Sequence, residues 1–132
     1  MKKFLLLCAA SIALAASLAV QAADICAEQL SDGSLWQCTE RQKKLAEEDL
    51  NQAYIAAKKR IVQMYRSDKP LGEQYVATFT DSQRHWLKYR DGQCSLEAFA
   101  AEEGSTVHAT AVNICIARID KARSEMIKQM PY

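Results

Sequence analysis

Two histidines, five cysteines and two acidic runs are the residues of this chain that could carry chemistry. Metal binding would need several of them to converge. His85 and His108 lie far apart, and no cysteine pair has the Cys-x-x-Cys spacing of a zinc site. Acid–base cleavage of a glycosidic bond would need two carboxylates facing each other across a substrate. The runs Glu47-Glu48-Asp49 and Glu102-Glu103 set their acids side by side. On a helix such neighbours point in different directions, so these runs read as wet faces. No Gly-x-Ser-x-Gly, His-Glu-x-x-His, Walker loop or Gly-x-Gly-x-x-Gly string occurs. The expectation is therefore a non-enzyme, with no catalytic residue, no metal and no cofactor.

The cysteines point to covalent bracing instead. The chain opens with "MKKFLLLCAASIALAASLAVQA": two lysines, an apolar run, then Val20-Gln21-Ala22. That is the layout of a signal peptide cleaved after Ala22. Residues 1–22 are read as the signal and 23–132 as a single mature domain. Cleavage removes Cys8, Lys2 and Lys3. Lys plus Arg falls from 17 to 15 while Asp plus Glu stays at 16, giving a mature net charge of −1. Such a balance gives no bulk attraction to nucleic acid or to an anionic membrane. Cys26, Cys38, Cys94 and Cys115 remain, an even number in a short exported domain, which implies two disulfides. Three pairings are open. Cys26–Cys38 with Cys94–Cys115 closes the shortest loops and is favoured. The expected location is the bacterial periplasm or beyond.

The elements that must position these residues are helices. From Ser34 to about Arg66, the residues Leu50, Ala53, Tyr54, Ala57, Ile61, Met64 and Tyr65 recur at steps of three and four. Ser34 is the expected N-cap, and the basic residues toward the far end suit the helix dipole. A second stripe runs from about Leu71 to Gly92 through Tyr75, Phe79, Trp86 and Tyr89 or Arg90. A third runs from about Ser105 to Met130 through Val107, Ala111, Cys115, Ile119, Ala122 and Met126. Gly104-Ser105-Thr106 offers a break followed by a cap. The expected fold is all-α: a small, disulfide-stapled bundle of about three helices. Short loops make successive helices antiparallel, so the cysteines gather near one pole.

Polar residues stand on the expected apolar faces. Gln83, Trp86, Arg90 and Cys94 are spaced to share one helix face, and Asn51 and Tyr54 sit beside Leu50 and Ala57. An unpaired buried polar group costs a few kcal/mol. Arg90 is therefore expected to meet a carboxylate, amide or carbonyl of the first helix, with Asn51 in the same network. Glu47, one turn before Asn51, could also face it. The alternative is that Arg90 and Trp86 are exposed together as a binding hot spot. His85, Lys88 and Asp91 are expected to meet solvent.

These residues carry a resemblance. Cys38 ahead of "AEEDLNQAY", then "SQRHWLKYRDGQC", then "EGS" at Glu103 to Ser105, then "CIARIDKAR" from Cys115 to Arg123, are similar to the LprI-like lysozyme inhibitor N-terminal domain family. The blocks cover most of the mature chain. The family often has Asp where this chain has Glu47, and Thr where it has Asp120. The resemblance implies a small exported helical protein whose namesake is a lipid-anchored inhibitor of lysozyme. Asn51, Tyr54, Gln83, Trp86, Arg90 and Arg123 are then expected as a structural network. The expected partner is a protein, a lysozyme or another cell-wall hydrolase, with no membrane contact after signal cleavage. Animal lysozymes are basic, so Glu47, Glu48, Asp49, Glu102 and Glu103 are the candidate partner-binding residues; Ser95–Thr106 is a candidate insertion element, with a plain helix–helix connection the favoured reading of that loop. The competing expectation is an envelope interaction, chaperone-like or toxin-immunity protein without effect on lysozyme.

Overall fold

The structure, a computed structural model, describes residues 24–132; the expected signal peptide and its cleavage site lie outside them. A single 3-10 turn, Asp24–Cys26, leads into three helices: α1 (Asp32–Met64), α2 (Lys69–Glu97) and α3 (Thr106–Lys128). The described residues contain no strand. Each helix start is written in the sequence. Ser31, not Ser34, caps α1; its hydroxyl accepts from the Ser34 N–H, and the Ser34 side chain reaches back to complete a capping box. Asp68 caps α2, with Pro70 in the first turn where its missing N–H costs nothing. Ser105 caps α3 by accepting from the His108 N–H. Gly104 just before it has φ +83°, a conformation strained for any side chain.

Two expectations change at the helix ends. α2 does not stop at Gly92 but runs on to Glu97, carrying Cys94 inside the helix. A lone glycine weakens a helix by only about 1 kcal/mol, and the disulfide lies just beyond. The last turn of α1 holds no basic residue. Instead, α1 supplies a cation to α3. Arg60 donates through Nε to the Met130 carbonyl at 2.8 Å and through Nη2 to the Ile127 carbonyl at 3.0 Å. It thereby adds a charged donor to the carbonyls at the end of α3, where the helix has no further N–H groups to offer.

α1 and α2 are antiparallel, as are α2 and α3, so α1 and α3 run parallel. The parallel pair packs most closely. Ala53 and Ala57 of α1 and Thr110, Asn113 and Ser124 of α3 are buried, and small residues let two helices approach. The α1–α2 pair is held by aromatic side chains, Tyr54 on Phe79 at 4.9 Å and Tyr65 on Tyr75 at 5.6 Å between ring centroids. Bulky spacers leave this pair splayed.

Apolar burial falls into two clusters. The larger gathers Leu50, Ala53, Ala57, Ile61, Phe79, Ile127 and Met130 toward the α1–α2 turn. The smaller is Cys94, Cys115 and Ile119, and Trp86 packs against both. Cys26 bonds to Cys38 and Cys94 to Cys115, the favoured short-loop pairing. The expected stripe along α3 is only partly buried, and Ala122 on it is exposed. Cys115, Ile119 and Met130 are buried, but Val107 and Met126 are exposed, while Thr110, Asn113, Asp120 and Ser124 are buried. Leu71, at the head of the expected α2 stripe, is exposed as well.

Candidate functional site

The splay between α1 and α2 opens a cleft of about 550 Å³. Glu47, Leu50, Asn51, Tyr54 and Lys58 line it from α1, and Thr80, Gln83, Arg84, Leu87 and Arg90 from α2. Asp120 of α3 closes its floor. At that floor sits a buried ion pair. Arg90 Nη1 donates to both carboxylate oxygens of Asp120 at 3.2 Å. The Arg90 side chain is 12% exposed and that of Asp120 0%. Arg90 Nε also donates to Asp91 at 2.9 Å, and Glu47 stands 3.8 Å from Nη1.

Arg90 thus points inward, and its close partner comes from α3, not from α1 as the sequence suggested. Asn51 is the correction. It is exposed at the cleft and makes no hydrogen bond to Arg90. The physical reason is the splay: α1 stands away from α2 at this level, so only the longer Glu47 side chain comes within reach. Asp91 meets solvent as expected but also holds Arg90. Tyr89 is exposed, which settles the Tyr89-or-Arg90 choice.

Of the remaining network members, Gln83, Trp86 and Arg123 stand close together. Arg123 Nε donates to Gln83 Oε1 at 3.0 Å. The Arg123 and Arg90 guanidiniums stand 5.5 and 6.0 Å from the Trp86 ring. Trp86 therefore links the Gln83–Arg123 bond to the Arg90–Asp120 pair. Tyr54 is separate: its hydroxyl bonds Thr80 at 3.0 Å. Burial pushes the Asp120 carboxyl above its ordinary range, and the opposing pull of Arg90 does not cancel it. Arg90 is raised; burial works against its charge, but Asp91 and Asp120 outweigh it.

The five acids do not form one patch. Glu47 faces Arg90. Glu48 is exposed. Asp49 turns to α3, accepting from the Ser124 hydroxyl and from Lys128 at 3.1 Å. These contacts hold Asp49 below the usual carboxylate range, the Ser124 bond first, with burial opposing and Lys128 assisting. Consecutive helix positions are turned about 100° from one another, so three directions are what the run allows. Glu102 and Glu103 are both exposed on the α2–α3 connection. With them on this connection lies Phe99, 83% exposed, and Leu96 before it is exposed too. Sequence reasoning named the segment but not Phe99, whose signal was an aromatic residue off every helical stripe.

Among the described residues no group of three or more potential metal ligands converges, and no helix is long and apolar enough to cross a membrane. The fold and its internal network define a small all-α domain closed by two local disulfides. The chain belongs to the LprI lysozyme inhibitor family, whose model matches residues 26–126. It is 30% identical over 111 residues to an uncharacterized protein of Rhizobium meliloti (strain 1021), covering 80% of this chain and 77% of that one. Its fold is similar to the crystal structure of a DUF1311-family protein from Pseudomonas putida, with TM-score 0.68 and 25% identity, over 76% of this chain and 93% of that one.

Proposed function

We propose that this protein is an exported inhibitor of lysozyme or a related cell-wall hydrolase. The observation that carries the reading is the family match across residues 26–126. The α2–α3 connection supports it physically. Phe99 and Leu96 present apolar surface beside the acids Glu102 and Glu103. The Cys94–Cys115 bond anchors the connection at both of its helices. A segment held in shape before binding loses less entropy when it docks. The aromatic residue supplies a hot-spot anchor, and the acids steer a basic enzyme toward it. Two disulfides suit an oxidising compartment outside the cytoplasm, in keeping with the signal-like opening sequence. The buried Arg90–Asp120 network acts as scaffold in this reading and does not contact the enzyme.

The test is clearance of a bacterial cell-wall suspension by several lysozymes, with the disulfide-bonded protein added. Inhibition is expected, weakened about tenfold or more by Phe99→Ser. Glu102→Lys with Glu103→Lys should slow association and flatten its salt dependence. No inhibition of any lysozyme at micromolar excess would sink the reading.

A further inference from the structure

The outer face of α1 is not the polar surface its position calls for. The helix buries Leu50, Ala53, Ala57 and Ile61 against α2 and α3. On the opposite side Leu45 is 59% exposed, Ile55 46% and Val62 62%. With Glu48, Gln52 and Lys59 between them, all exposed, they form one stripe at alternating steps of three and four. That is a heptad seam, with Leu45, Gln52 and Lys59 in one register and Glu48, Ile55 and Val62 in the other. Nothing else in the described chain covers it.

We propose that this face docks on the same face of a second copy, with the two α1 helices antiparallel. The stripe is self-complementary in that orientation alone. A two-fold axis between Gln52 and Ile55 sets Leu45 against Val62 of the other copy, Glu48 against Lys59, and Gln52 against Ile55. Each pairing occurs twice, as an isologous interface requires. Glu48 and Lys59 make no ion pair within the described chain, so both are free to meet the other copy. A parallel arrangement would put Glu48 on Glu48 and Lys59 on Lys59, and like charges facing each other are rejected. Beyond the seam Arg41 and Arg66 would face each other, which confines the contact to Leu45–Val62. One helix face per copy is a small interface, so the dimer is weak, with a Kd on the order of 100 µM.

Sedimentation equilibrium of the disulfide-bonded mature chain tests this, from about 10 µM to about 1 mM, a span set to bracket that Kd. The expected result is a weight-average mass that climbs from one chain toward two. Glu48→Lys places lysine against Lys59 and should raise Kd about tenfold or more; Glu48→Lys with Lys59→Glu should return it to near the parent value. Ile55→Glu should abolish dimerisation with the helical circular dichroism unchanged, since the residue faces away from the core. A monomer at every concentration overturns the proposal, as does a double exchange that fails to restore association. Clearance by lysozyme is measured with the same variants. If Ile55→Glu removes inhibition from a protein that is monomeric throughout, the face belongs to the hydrolase and self-association is refuted. If dimerisation follows the charge exchange while Phe99→Ser alone affects inhibition, both surfaces stand separately.

Discussion

Arg90→Ala tests the reasoning about the cleft floor most directly. The substitution leaves Asp120 fully buried without the guanidinium that holds both its oxygens at 3.2 Å. Removing one partner of a buried pair costs about 3–5 kcal/mol. Protonation gives Asp120 an escape that caps the loss. Neutralising a carboxyl with an unfolded pKa of about 3.9 costs about 1.4 kcal/mol per pH unit, so about 4 kcal/mol at pH 7. Asp120 is already raised in the parent, so part of this cost is common to both proteins, and the two routes meet at a loss of about 3 kcal/mol at pH 7. The bond to exposed Asp91 adds little. The pH dependence follows in sign. In the variant the folded pKa of Asp120 lies above its unfolded value, so its contribution is fully present below the unfolded pKa and lost as pH rises through the folded one. At pH 4.5 the cap falls to about 1 kcal/mol, plus the packing lost with the arginine stem. Urea unfolding followed by far-UV circular dichroism at both pH values measures this. Arg90→Met with Asp120→Leu should recover most of the loss, because an apolar pair leaves no charge stranded. A loss below about 1 kcal/mol at pH 7, or an equal loss at both pH values, would refute the argument.

Three further outcomes follow from geometry already described. Replacing Cys94 and Cys115 by serine should cost about 3 kcal/mol, the loop-closure value for a separation of 21 residues, read as a lowered urea midpoint. Gly72→Ala should destabilise although alanine is the better helix former: its Cβ would lie 2.8 Å from the Tyr65 Cβ, and overpacking of this kind costs about 1–3 kcal/mol. A midpoint equal to the parent's would show that the α1–α2 turn gives way. Asp49 is held below its ordinary pKa, so its stabilisation is present above the unfolded value and lost as pH falls through the folded one. The gap between the parent and Asp49→Asn should accordingly be open at pH 7 and closed near pH 2, in an acid titration of circular dichroism; a gap that persists in acid would assign Asp49 a role other than accepting from Ser124 and Lys128.

The helix count, the disulfide pairing and the inward turn of Arg90 were legible because each rests on local spacing or on chain closure. The partner of Arg90 was not. Spacing on α2 shows that Arg90 lies on the apolar face, but which neighbour reaches it depends on how far α1 and α2 splay. That distance is set by Tyr54, Phe79, Tyr65 and Tyr75 together. The buried face of α3 escaped for a related reason. A search for apolar residues favours Val107 and Met126, whereas the close α1–α3 approach selects for size and takes Thr110, Asn113 and Ser124 inside. Ser31 was overlooked as cap because Ser34, three residues on, has the same preference; the structure uses both, one as cap and one as reciprocal partner.

The two ends of the molecule are held by unlike forces. At the α1–α2 turn the helices are joined by apolar packing, with Ile61, Phe79 and Ile127 at its centre. At the other end the apolar cluster is two half-cystines and Ile119, and neither disulfide ties α1 to α2 or α3. A reducing agent would therefore act as a local solvent for one end alone. Amides around the α2–α3 connection would exchange with water soon after reduction, while those beside Ile61 would still report the whole domain. The end that carries Phe99 is the one whose order depends on where in the cell the chain is.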